Sequence, residues 1–171
     1  MKIQNRKSFL TGLGIGLAIA SIPVGVIFWY VKPPPVTPVP TVTITALKCD
    51  TNEFTNLESR LPMSREITVI GECTDVPSDQ NMWICVLPID VCRYYPQREP
   101  VQPEDIWQIS HVGVGKDDPS DIGKQFFVCA VLANADASDI LYRYAQEVLT
   151  GMESLPPGAV IYDQVLVMRD H

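Results

Sequence analysis

The sequence predicts a mainly β chain: a β-sandwich with one helix before its last strand, preceded by a single transmembrane helix. Three observations predict it. Residues 9–31 are apolar and hold no charge. Beyond residue 41, apolar residues fall into short runs with the two-residue period of strands, separated by turn-forming Pro, Asp, Ser and Gly. One stretch, residues 134–149, switches to a helical period.

The first element is FLTGLGIGLAIASIPVGVIFWYV, Phe9 to Val31, 23 residues long. A helix of that length crosses a hydrocarbon core of about 30 Å. Lys2, Arg6 and Lys7 precede it and Lys32 follows. This bias keeps residues 1–8 in the cytoplasm and puts the rest on the far side of a cytoplasmic or thylakoid membrane. Trp29 and Tyr30 stand where an interfacial aromatic belt belongs. Ala18-Ile19-Ala20 also reads as a signal-peptidase site. The apolar run continues for eleven residues past Ala20, which favours an uncleaved anchor. Gly12, Gly16 and Ala20 recur every four residues, a spacing that lets a second copy or another membrane helix approach closely. Small residues are also common in such helices without that role. Pro23 is placed to kink the helix.

Residues 32–41 form the next segment, with KPPPVTPVP at 32–40. Five prolines in nine residues favour polyproline II, a stiff stalk of roughly 25 Å. A PxxP ligand for an SH3-like domain is the alternative, and its place beside the membrane favours the stalk.

Residues 42–171 form the folded domain. Strands are expected at Val42–Lys48, Glu66–Thr74, Met82–Leu87, Ile106–Val114, Lys124–Ala133 and Val160–Arg169. In EITVIGECT, Ile67, Val69 and Cys73 share one face and Thr68, Ile70 and Glu72 the other. MWICVL and KQFFVCAVLA are apolar on both faces, as central strands are. The helix at Asn134–Leu149 is expected to start on Asp136, to bury Leu141, Tyr144, Ala145 and Val148, and to stop at Gly151.

The net charge is −7, but residues 33–171 hold nine bases against twenty acids, a balance of −11. Such a domain repels phosphate backbones, so nucleic acid is not an expected partner.

The five cysteines are Cys49, Cys73, Cys85, Cys92 and Cys129. An odd count leaves at least one thiol free or intermolecular. Cys73 precedes Trp83 by ten residues, Cys129 follows, and Asp121-x-Gly123 leads into the strand of Phe127 and Cys129. This order resembles an Ig-like β-sandwich, in which two cysteines of facing sheets bond over a core tryptophan. The resemblance implies a Cys73–Cys129 disulfide. Cys85–Cys92, separated by Pro88, is the alternative pair, and buried unpaired thiols a third reading. The sequence departs from antibody domains, because Phe127 lacks a tyrosine hydroxyl and D-x-G lies two residues farther from the cysteine.

A second resemblance covers most of residues 42–169 and rests on ITVIGEC, MWICVLP, YYPQREPV, IWQISHVGVG, DIGKQFFVCAVLAN and SLPPGAVIYDQVLVMR. They look like a bacterial, mostly cyanobacterial, Ig-like module of uncharacterised function. That module occurs alone, behind a membrane anchor, or fused to caspase-like and kinase-type signalling domains. The resemblance implies an interaction or sensor module and offers no catalytic residues.

Arg93, Tyr94, Tyr95, Gln97 and Arg98, joined by Trp107, form the expected partner-binding patch, since aromatic and arginine side chains anchor interfaces. Alternatively the tyrosines cover a sheet edge. Asp117, Asp118, Ser120 and Asp121 crowd one loop whose spacing is not that of an EF-hand and which reads as a solvated turn. Gly113-Val114-Gly115-Lys116 lacks the earlier glycine and the Ser/Thr of a phosphate loop. The two histidines, His111 and His171, have no catalytic or metal-ligand spacing. The expectation is a non-enzymatic binding or sensor module without cofactor or metal, displayed on its stalk in the cell envelope. Its partner is an unidentified protein. The alternatives are an accessory subunit of a membrane complex and a cytoplasm-facing scaffold for signalling effectors.

Overall fold

The computed structural model describes residues 38–58, 60–97, 99–101, 103–147 and 150–170. The expected membrane span, with Gly12, Gly16 and Ala20, and most of the stalk lie outside these residues, as do Arg98 and His171. Among the described residues no helix is long and apolar enough to cross a membrane.

Two sheets make the domain. The first has the order β2-β1-β4-β7, with β1 Thr41–Cys49, β2 Asn52–Phe54, β4 Glu66–Thr74 and β7 Ile106–Gly113. The second has the order β3-β9-β8-β5-β6, with β3 Leu61–Met63, β5 Gln80–Pro88, β6 Tyr95–Pro96, β8 Gln125–Asn134 and β9 Ala159–Arg169. All pairings are antiparallel except β3 with β9. One helix, α1 Ala135–Glu147, joins β8 to β9. The described residues are thus mainly β, two sheets and one α-helix, as the sequence predicts for this region. Three short strands, β2, β3 and β6, escape the sequence because two or three residues show no period.

The core lies between the sheets. Ile67, Val69 and Cys73 of β4 meet Met82, Ile84 and Val86 of β5 and Phe126, Val128, Ala130 and Leu132 of β8. The alternate residues Trp83, Cys85, Cys129, Val131 and Ala133 face the other way and pack under α1 with Ala137 and Leu141. This is why β5 and β8 are apolar on both faces: a sheet covers one side and a helix the other.

The second apolar layer overturns three expectations. Trp83 does not sit between the sheets; it is fully buried beneath α1, and its Nε1 donates to Ser138 Oγ at 3.0 Å. Cys73 lies in the inter-sheet core and Cys129 on the opposite face of the second sheet, so the Cys73–Cys129 bridge does not form. All five cysteines are free thiols, with Cys92 exposed and Cys85 buried under the helix. Finally, the large aromatic ring between the sheets is Trp107, only 2% exposed, so it anchors the core and not an interface.

The helix begins one step earlier than its expected cap. Asn134 Oδ1 accepts the Ala137 N–H at 2.9 Å, so Asn134 closes the first turn, and Asp136 supplies a favourable charge within it. Ile140, Leu141, Tyr144 and Ala145 face the sheet.

Candidate functional site

The expected patch at residues 93–98 divides. Arg93 is tied to the loop after α1, donating to the Thr150 carbonyl at 3.2 Å and pairing with Glu153 at 3.0 Å. Tyr94 exchanges backbone hydrogen bonds with Met152, and its ring packs on the layer beneath α1. Burial there pushes the Tyr94 phenol above its usual range. These two residues seal a seam. Tyr95 and Gln97 go elsewhere: both line a cavity of about 330 Å³ at one end of the sandwich.

The cavity opens where the free edges of the two sheets come together. β6 ends the second sheet and β7 ends the first. Gln97 bridges them, its Oε1 accepting the Gly113 N–H at 2.9 Å and its Nε2 donating to the Tyr95 carbonyl at 3.1 Å. Phe126 and Val86 reach the cavity from the inter-sheet core, and Pro88 and Val91 complete an apolar wall. Gly115 lies beside Phe126 at a φ of +82°, a left-handed conformation suited to glycine. A Cβ there would come within 3.0 Å of Asp121 Oδ2 and 3.1 Å of Phe126 Cζ.

The polar wall is built on Asp121. Its carboxylate, 6% exposed, accepts the Lys116 N–H at 2.7 Å through Oδ2 and pairs with Lys124 Nζ at 2.7 Å through Oδ1. The Lys116 backbone bond, with Lys124 next, holds Asp121 below the usual carboxylate range. Lys124 also reaches Asp90 at 3.3 Å and so pins the turn after β5 to the loop before β8. Its ammonium is held above the usual lysine range by these partners, Asp121 first. Arg169 donates to the Lys116 carbonyl.

The acidic loop is therefore not a solvated turn throughout. Asp117 pairs with Arg65 at 3.1 Å, Asp118 accepts the Ser120 N–H at 2.8 Å to cap the short 3-10 helix Pro119–Asp121, and Asp121 turns inward. Each carboxylate is engaged by the protein itself. Sequence reading missed this site because its residues come from four separate segments. The available signals were the D-x-G before β8 and the Gly-Val-Gly-Lys run after β7.

Three large apolar side chains stand exposed at this end: Ile89 and Val91 in the turn after β5, and Ile122 before β8. Elsewhere His111 Nδ1 meets Glu66 Oε2 at 3.0 Å on the surface.

No protein-family model matches the chain, and no match was found among curated proteins or solved structures.

Proposed function

We propose that the chain is a membrane-anchored, non-enzymatic binding or sensor module of Ig-like architecture, displayed on a short stalk in the cell envelope. The observation that carries the binding reading is the cavity between the sheet edges, with exposed Ile89, Val91 and Ile122 around it. Cavities of this size, mostly apolar with a few fixed polar groups, are typical ligand sites. Three exposed aliphatic side chains on two linked loops form an apolar rim of the kind that interfaces use.

The strand order supports the Ig-like reading. β1, β4 and β7 correspond to strands A, B and E of that fold, and β9, β8, β5 and β6 to G, F, C and C′. Placing the helix between F and G, and turning Trp83 outward beneath it, are departures from the antibody-type sandwich. The stalk joins the domain at Thr41, whose cross-strand partner is Thr74 at the far end of β4. The cavity lies at the other end, where Glu66 of β4 faces Gly113 of β7.

Two measurements test this. Protease accessibility of the domain in cells with a sealed cytoplasmic membrane and an opened outer envelope is expected to show digestion. Protection until lysis would make the cytoplasm-facing scaffold the correct reading. Photo-crosslinkers placed at Val91 and Ile122 are expected to give a discrete adduct that one at exposed Tyr142 does not. Equal labelling from all three sites would remove the cavity end as the binding face.

A further inference from the structure

The ligand chemistry follows from which charges in the cavity wall are already spent. Asp121 is consumed by the Lys116 N–H and Lys124. Asp90 is consumed by Lys124, and Lys124 by both acids. The Lys116 ammonium is different: it lines the cavity, yet forms no hydrogen bond or ion pair among the described residues. The nearby Asp118 acts on it only at coulombic range. Two lysines balance two aspartates over the lining, and Lys116 is the ammonium left without a partner among the described residues, beside an apolar wall of Val86, Pro88, Val91 and Phe126. The complementary ligand has one anionic group on an apolar body.

We propose, building on the binding reading above, that the cavity takes the C-terminal carboxylate and apolar last side chain of a partner polypeptide. The volume of about 330 Å³ suits one large aliphatic residue and its carboxylate. Exposed Ile89 and Ile122 lie outside the cavity, with Val91 at its mouth, and offer contact to the residues that precede the chain end, which a small free acid lacks. The balance of −11 over residues 33–171 repels a polyanion and attracts a partner whose remaining surface is neutral or basic. Terminal carboxylate capture is an established mode of peptide recognition, and here an ammonium takes the place of a backbone nest.

The test uses the full chain in detergent micelles and a pool of short random peptides with free C-termini. Selection is expected to enrich Leu, Ile, Val or Phe at the last position. The best binder is then measured by fluorescence anisotropy as the free acid and as the C-terminal amide. The amide is expected to bind at least tenfold more weakly. Lys116→Met is expected to weaken the acid tenfold and to leave the amide unchanged; Lys116 is exposed, so the fold is retained. Isocaproate, the same apolar acid without a peptide, is expected to compete only at much higher concentration.

Several results would overturn the proposal. Equal affinity of acid and amide, or no effect of Lys116→Met, would remove the carboxylate. Competition by isocaproate as strong as by peptide would remove the polypeptide and leave a small acid. Absence of any apolar enrichment would remove the chain end altogether. Val91→Trp, which fills the cavity mouth, separates the two levels. If it abolishes binding of acid and amide alike, the cavity stands as a binding site whatever the end-group chemistry. If binding survives it, the cavity reading falls too.

Discussion

The indole of Trp107 occupies the space beside Gly71, its direct partner across the β4–β7 ladder, where a side chain would otherwise stand. A methyl group on Gly71 would overlap Cζ2 and Cε2 of that ring and the Thr43 carbonyl behind it. The glycine is therefore the slot that lets a tryptophan lie between the sheets. Gly71→Ala is expected to cost about 3 kcal/mol or more, because neither a backbone carbonyl nor a fully enclosed indole can give way. Urea unfolding monitored by tryptophan fluorescence checks this. A loss below about 1 kcal/mol would mean that the two strands separate at little cost.

The start of α1 can be located by a pair of substitutions. Asn134→Ala removes the side-chain oxygen that accepts the Ala137 N–H and is expected to cost about 1 kcal/mol. Asp136→Ala removes only a favourable charge within the first turn and is expected to cost a few tenths of a kcal/mol. Thermal denaturation ranks them; the reverse order would put the cap back at Asp136.

The cysteines divide by reactivity. Cys92 is exposed and is expected to be alkylated first in the native protein. Cys85 and Cys129 face each other across β5 and β8, fully buried beneath the helix. Burial, and then Asp163, pushes the Cys129 thiol up to about 12, while burial and the neighbouring Cys129 raise Cys85 as well. Neither is a thiolate at neutral pH, so both are expected to react only on unfolding. Mass spectrometry after pulsed alkylation and non-reducing digestion reads this directly. A linked Cys73–Cys129 peptide would contradict the placement of those residues on opposite faces of the second sheet.

Asp121 gives the domain an acid-sensitive joint. Its folded pKa lies below the unfolded value of about 4. A depressed carboxylate adds stability above its unfolded pKa and loses it as pH falls through the folded value. Asp121→Asn is expected to be less stable by about 2 kcal/mol at neutral pH, where charged hydrogen bonds to Lys116 and Lys124 are lost. The gap is expected to narrow below about pH 4. Melting temperatures of the two proteins across pH check it, and a gap independent of pH would show that Asp121 acts by shape alone.

Sequence by itself determined the fold class and most of the long elements. Glu66–Thr74 is legible to the residue because Ile67, Val69 and Cys73 share one face while Thr68 and Glu72 flank Ile70 on the other, and the first face is the buried one. The helix is legible because Leu141, Tyr144 and Ala145 recur at its period, and all three pack against the sheet; Val148, the fourth expected member, lies outside the described residues. Only the tertiary structure decided which way β5 and β8 face. Trp83 and Cys129 stand in strands that are apolar on both sides, and a two-residue period cannot say which side meets the other sheet and which meets a helix. That ambiguity sent the expected core tryptophan under α1 and moved Trp107, whose strand is otherwise mostly exposed, into the core. The cavity was beyond local pattern for the same reason: Gln97, Gly113, Asp121 and Phe126 become neighbours only when two sheet edges close on each other, and no spacing along the chain encodes that approach.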